Sequence, residues 1–137
     1  MPDQGRSTRG VIDTSVVIGL EHLDPLDLPV ELAVTSITMA ELAAGPHAAT
    51  DPVERARRQD RVQRAEAAFD PIPFDGEAAR AYGRIYAAVI ASGRKARGPR
   101  AVDLLIAAVA CASDLPLYTR NHGDFHGLEG LVEVVSV

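Results

Sequence analysis

Two features of the chain predict an α/β fold with a central parallel sheet and helices on both faces. Short apolar runs rich in β-branched residues alternate with longer segments of helical period. No internal repeat, low-complexity tract or linker interrupts the alternation, and 137 residues suit a single domain, 1–137, with its own hydrophobic core. Residues 1–8 read as a flexible lead-in, and Met1–Gly10 lack the apolar stretch of a signal peptide.

The elements follow in order. Val11-Ile12 is a short buried strand that leaves the sheet at Asp13, and Thr14 to about His22 continues as a helix that Pro25 and Pro29 break. Leu32–Thr35 is a second buried strand, and Met39–Ala44 a helix ended by Gly45-Pro46. Asp51-Pro52 opens a helix to about Phe69, with Asp as cap, Pro at the first helical position, and Val62, Ala65 and Phe69 on one face. Pro71-Ile72-Pro73 is at most a short edge strand. Asp75 caps a helix whose Ala78, Tyr82, Ile85, Tyr86 and Val89 point inward, and Ser92-Gly93 ends it. Asp103 then opens Leu104–Ala110, which is apolar all round and so expected to be a central buried helix. Leu117–Thr119 and Leu131–Val135 are the last strands.

Composition narrows the function. The net charge of −5 argues against a broad nucleic-acid-binding face. The cations are nevertheless clustered. Arg55, Arg57, Arg58, Arg61 and Arg64 share one helix, and Arg94, Lys95, Arg97 and Arg100 share one Gly/Pro-containing loop. Arginine suits phosphate because its fork reaches two oxygens, with a solvated surface as the competing reading. The one cysteine, Cys111, excludes an internal disulfide and lies in an apolar run as a small buried residue, which points to a reducing, cytoplasmic setting. No segment has the roughly 20 consecutive apolar residues of a membrane span.

Four acids mark chain junctions: Asp13, Glu41, Asp103 and Asp124. Each has a purely structural reading. Asp13 can cap the helix that follows it. Glu41 can close a capping box over Thr38–Glu41. Asp103 can sit in the favourable field of a helix start. Asp124 can serve as a turn residue in Asn121–Phe125. Together they say more than singly. A doubly wound sheet brings strand ends to one edge, where four like charges repel and raise one another's pKa. A divalent cation relieves that conflict. With carboxylates as donors and no thiol, Mg²⁺ or Mn²⁺ is favoured over Zn²⁺. His122 and His126 lack the partners of a zinc site. There is no G-x-G-x-x-G, P-loop or hydrolase elbow around Ser15.

Four segments then carry a resemblance. Val11–Val16, Thr35–Leu42 with Gly45, Asp103–Ala110 and Thr119–Phe125 match, in order, the motifs of PIN-domain ribonucleases, specifically VapC-type toxins of VapBC toxin–antitoxin pairs. The match runs from about Val11 to Val135. The resemblance implies a three-layer α/β/α PIN fold and a Mg²⁺-dependent endoribonuclease acting on structured cellular RNA such as transfer or ribosomal RNA. It also implies a VapB-like antitoxin in a groove walled by the Met39–Phe69 helices, and a homodimer. Asp13 and Asp103 would be the main metal ligands, Glu41 would bind directly or through water, and Asp124 would fill the less uniform fourth position. Thr14, Ser15, Thr119 and Asn121 would be their hydrogen-bonding neighbours, and Arg94, Lys95, Arg97 and Arg100 RNA contacts.

Three rivals remain at this stage. A haloacid-dehalogenase-like phosphotransferase would use Asp13 as a covalent nucleophile, but Ser15 stands where a second Asp is usual and Lys95 is the sole lysine. A phospho-receiver module needs a late lysine that is missing. A PIN-like domain that only binds a partner would have no need of all four acids.

Overall fold

The computed structural model describes residues 8–96 and 98–137. Most of the expected lead-in therefore lies outside the described residues, as does Arg97. Four strands form one parallel sheet: β1 (Arg9–Ile12), β2 (Glu31–Ala33), β3 (Leu117–Thr119) and β4 (Val134–Ser136), in the order β2-β1-β3-β4. The segment at Ile72 adds a single parallel bridge to Thr35, as expected of an edge piece between prolines.

Among the described residues five α-helices cover the sheet: α1 (Thr14–Gly19), α2 (Ser36–Ala48), α3 (Pro52–Ala68), α4 (Gly76–Ala91) and α5 (Pro99–Ala112). The alternation of side chains along each strand sorts them between two cores. Val11, Ala33 and Leu117 face α4 and α5, packing with Ile85, Val89, Leu104 and Ile106. Their neighbours Ile12, Val34 and Tyr118 face the other way, against Val16 of α1, Leu42 of α2 and Val62 of α3. This is the expected α/β/α layering with both sheet faces covered.

Several local expectations are corrected. Helix α2 starts at Ser36 and runs through Gly45-Pro46 to Ala48. Pro46 sits in the last turn, where it removes one i→i−4 bond, and the Arg58 guanidinium supports that end by donating to Gly45 O at 2.9 Å. Helix α5 starts at Pro99, so Asp103 lies in its second turn and does not open it. Leu131 and Val132 precede β4 and do not belong to it. Tyr86, expected inward, is 46% exposed. Cys111 is only half-buried. Among the described residues no helix is long and apolar enough to cross a membrane.

Candidate active site

The chain leaves β1 to build β2 on one side of the sheet and later returns to place β3 on the other. Loops diverge at such a switch point and open a crevice beyond the strand ends. Asp13 stands there. Its amide donates to Tyr118 O at 3.1 Å, tying it to β3, and its side chain is buried. Oδ1 accepts from Val16 N at 3.1 Å and from the Ser15 hydroxyl at 2.6 Å. Asp13 is therefore the cap of α1, and the cap and site readings are compatible, because both bonds fall on one oxygen and leave Oδ2 out of the capping arrangement. Ser15 Oγ in turn accepts from Arg120 N at 3.2 Å, so one hydroxyl links the start of α1, the acid and the end of β3.

Glu41 does not close a capping box. Thr35, not Thr38, caps α2, its hydroxyl accepting from Thr38 N at 3.1 Å. Glu41 lies a turn further into the helix, and its Oε1 accepts from the Thr14 hydroxyl at 2.5 Å. Thr14 Oγ1 also lies 3.1 Å from Thr38 Oγ1. A hydroxyl carries one proton. With that proton on the carboxylate at the shorter distance, Thr38 is left to donate to Thr14. The chain Thr38–Thr14–Glu41 holds one carboxylate oxygen in place. Thr38 was not among the expected site residues, although its three-residue spacing from Glu41 puts the two on one helix face.

Asp103 shows the coupling most clearly. Its carboxyl is pushed up to about 6. Burial contributes most, followed by the charges of Asp124, Asp13 and Glu41, with Arg100 opposing them. All three other acids are thus within electrostatic reach of Asp103, although they come from α1's cap, α2 and the turn at His122–Phe125. Among the described residues no three Asp, Glu, His or Cys side chains form a finished metal-ligand set. A hard cation that keeps several waters takes only one or two carboxylates directly and does not require such a set. The donor chemistry, carboxylate with neighbouring hydroxyls, fits Mg²⁺ or Mn²⁺ for the same reason.

The remaining expected residues divide. Thr119 is fully buried at the end of β3 and accepts from Asn121 N at 3.0 Å, which holds the loop leading to Asp124. Arg100 acts on Asp103, and its Nε is buried without a hydrogen-bond partner among the described residues. Arg94 donates to Gly123 O at 2.7 Å. Lys95 lines a separate pocket with Tyr86, Ile90 and Ala96. On α3, Arg55 donates to Ala49 O, Arg57 and Arg58 pair with Glu54, and Arg64 pairs with Asp60 and Glu21. His126 pairs with Glu129 at 3.4 Å, away from any zinc-like grouping.

Comparison with known proteins agrees with this geometry. The PIN-domain family model matches residues 10–130. Ribonuclease VapC5 of Mycobacterium tuberculosis (strain ATCC 25618 / H37Rv) is 38% identical over 133 residues, covering 93% of this chain and 95% of that protein. Ribonuclease VapC8 of Mycobacterium tuberculosis (strain CDC 1551 / Oshkosh) is 35% identical over 108 residues, 78% of this chain and 95% of that protein. A crystal structure of VapBC-5, a member of the VapBC toxin–antitoxin family from Mycobacterium tuberculosis, superposes with a TM-score of 0.83 at 38% identity, covering 95% of this chain and 99% of that one. FitAcB from Neisseria gonorrhoeae shares the fold at 24% identity and a TM-score of 0.69, over 92% of this chain and 96% of that one. With the family's motifs at the sheet edge and its match running through nearly all of the strands and helices, the chain belongs to the PIN-domain family, on its VapC branch.

Proposed function

We propose that this protein is a metal-dependent endoribonuclease, the toxin of a toxin–antitoxin pair, which hydrolyses phosphodiester bonds in structured RNA such as transfer or ribosomal RNA. The observation that carries this reading is that Asp13, Glu41 and Asp124, from three separate segments, all lie within electrostatic reach of the half-buried Asp103 near the sheet's switch point. Its relatives VapC5 and VapC8, both named ribonucleases, support it.

In this reading Asp13 and Asp103 hold Mg²⁺ (or Mn²⁺), with Glu41 and Asp124 completing the set directly or through water. When bound, the cation lowers the pKa of a water and offsets charge on the phosphate. The chain's own residues do the positioning. Ser15 and the Val16 amide fix Asp13 Oδ1 and leave its other oxygen free of the cap. Thr14 pins Glu41 Oε1 and leaves its second oxygen to orient the attacking water. The water adds to phosphorus in line with the departing sugar oxygen, and no side chain becomes covalently attached. The RNA 2′-OH is then not needed for the chemistry, and preference for RNA comes from substrate shape and unpaired loops. The phosphotransferase alternative is disfavoured, because Lys95, the one lysine of the chain, lines a pocket with Tyr86, Ile90 and Ala96 that does not include Asp13.

For the antitoxin, the surface offers a groove between α1 and α3 of about 240 Å³. Val17, Ile18, Leu20, Ala65 and Ala68 supply its apolar lining, and Glu21, Arg61 and Arg64 its polar rim. An amphipathic helix laying its apolar face into such a groove is a common mode of recognition. The VapBC-5 complex supports a VapB-like partner, and a homodimer belongs to the same reading. The test is cleavage of purified RNA by wild type, Asp13→Ala and Asp103→Ala, with Mg²⁺ and with chelator. Wild type with Mg²⁺ should cut, and the variants should lose about two orders of magnitude or more, as when a metal ligand or its support is removed. Equal cutting by all three rules the reading out.

A further inference from the structure

We propose that Arg94 is a positioning residue for Asp124, and that its main partner is the protein's own backbone and not RNA phosphate. The inference rests on the nuclease reading above and adds a part to it. Asp124 lies on a short 3-10 turn, His122–Phe125, that contains a glycine and follows a short strand; Phe125 is buried in the α4–α5 core, whereas His122 and Gly123 are exposed. Left alone, such a turn is a poor platform for a carboxylate that must be held to a fraction of an ångström.

Besides the buried Phe125 side chain, two hydrogen-bonded tethers hold it. On the inner side, the buried Thr119 hydroxyl accepts from Asn121 N, and Asn121 O accepts from Asp124 N at 2.9 Å. On the outer side, Arg94 Nη1 donates to Gly123 O at 2.7 Å, from 29 residues away in sequence. That carbonyl also accepts from His126 N at 3.3 Å, the bond that closes the turn. Arg94 thus places a positive charge on the C-terminal carbonyls of the turn, where the backbone dipoles favour it. The distance is at the short end for an N–H donor, as charge-assisted bonds are.

Arg94 itself stands on a firm base. Its amide donates to Val89 O at 3.1 Å, just past the end of α4, and Gly93 makes the left-handed step that brings it there (φ 81°). Helix α4 packs Ile85 and Val89 into the same core as Leu104 of α5, the helix that carries Asp103. The clamp therefore references Asp124 to the body that holds Asp103. The arginine fork has further N–H groups, so a phosphate role and a clamp role must be separated by experiment.

The experiment uses the full chain as wild type, Arg94→Ala and Arg94→Lys, with Asp124→Asn alone and combined with Arg94→Ala. Three quantities are read: metal-free amide hydrogen exchange at Asp124 and His126, half-saturation in a Mn²⁺ titration, and binding of bulk transfer RNA in chelator across a salt series. Arg94→Ala should speed exchange at both amides and raise the Mn²⁺ half-saturation about 10-fold, the lower end for losing a supporting residue at a metal site. Arg94→Lys should recover part of both. The Mn²⁺ shift should vanish in the Asp124→Asn background, and RNA binding with its salt slope should match wild type. Unchanged exchange and Mn²⁺ binding, with weaker RNA binding and a flatter salt slope, would overturn the inference and make Arg94 a phosphate contact. If Asp13→Ala cleaves like wild type, the nuclease reading itself is lost. If Asp13→Ala is inactive and only the Arg94 variants are silent, the clamp alone is wrong.

Discussion

At Asp103, burial and three neighbouring carboxylates act in the same direction, and only Arg100 opposes them. The consequence for stability has a definite sign. The folded-state pKa is about 6, against 3.8 for the unperturbed group. The folded protein therefore binds this proton more tightly than the unfolded chain does. Asp103's contribution is most favourable below about pH 4, declines as the pH rises through about 6, and is flat above. Urea unfolding of the metal-free protein between pH 4 and pH 8 should show this decline in wild type. The decline should be absent or much smaller in Asp103→Asn, which is expected to be the more stable protein at pH 8 and the inactive one. Identical pH profiles would mean that Asp103 is not under this load. Stability given up where charge is gathered is the usual mark of a functional site.

The elements show which parts of this were legible in the sequence. Strands β1 and β3, the cap-and-proline start of α3 and the Asp75 cap of α4 follow from local signals, and the structure has them at or within a residue or two of the expected places. Where local signals compete, the sequence misleads. Thr35 and Thr38 are both plausible caps three residues apart, and the choice falls to Thr35 because Ser36 N pairs with Ile72 O at 2.9 Å, a contact made 36 residues down the chain. Glu41 is thereby released from the cap to meet Thr14. Gly98-Pro99 is a helix start signal hidden in a loop that charge made conspicuous, so α5 begins four residues before Asp103. Asp13 stands at the junction its position in the sequence suggests, whereas Glu41 and Asp103 lie a turn inside their helices, and the hydroxyls and Arg94 depend on long-range geometry. Packing between elements also explains Gly10. A Cβ there would stand 2.7 Å from Tyr118 Cε1 and 3.2 Å from Pro29 Cβ, and the Tyr118 side chain is buried. Gly10→Ala should cost about 1–3 kcal/mol as an overpacked core does. Urea denaturation measures it, and an unchanged midpoint would show that Tyr118 can yield.

For the whole molecule, the two cores fix the positions of the loops. Each strand contributes alternate residues to the α4–α5 layer and to the α1–α2–α3 layer. The acids arise between these layers: Asp13 from the central strand's exit, Glu41 from the α1–α3 side, Asp103 from the α4–α5 side, and Asp124 from beyond β3. A net charge of −5 is then compatible with an RNA substrate, since part of the negative charge is gathered where a cation would offset it. In the proposed reading these four carboxylates serve one metal site. The most direct test of that claim is a Mn²⁺ binding isotherm on wild type and on Asp13→Asn, Glu41→Gln, Asp103→Asn and Asp124→Asn, each checked to be folded. Wild type should bind Mn²⁺, and each substitution should weaken that same binding event, Asp13 and Asp103 by about 10-fold or more. Wild type that binds no Mn²⁺, or variants that bind it as tightly as wild type, would contradict the claim.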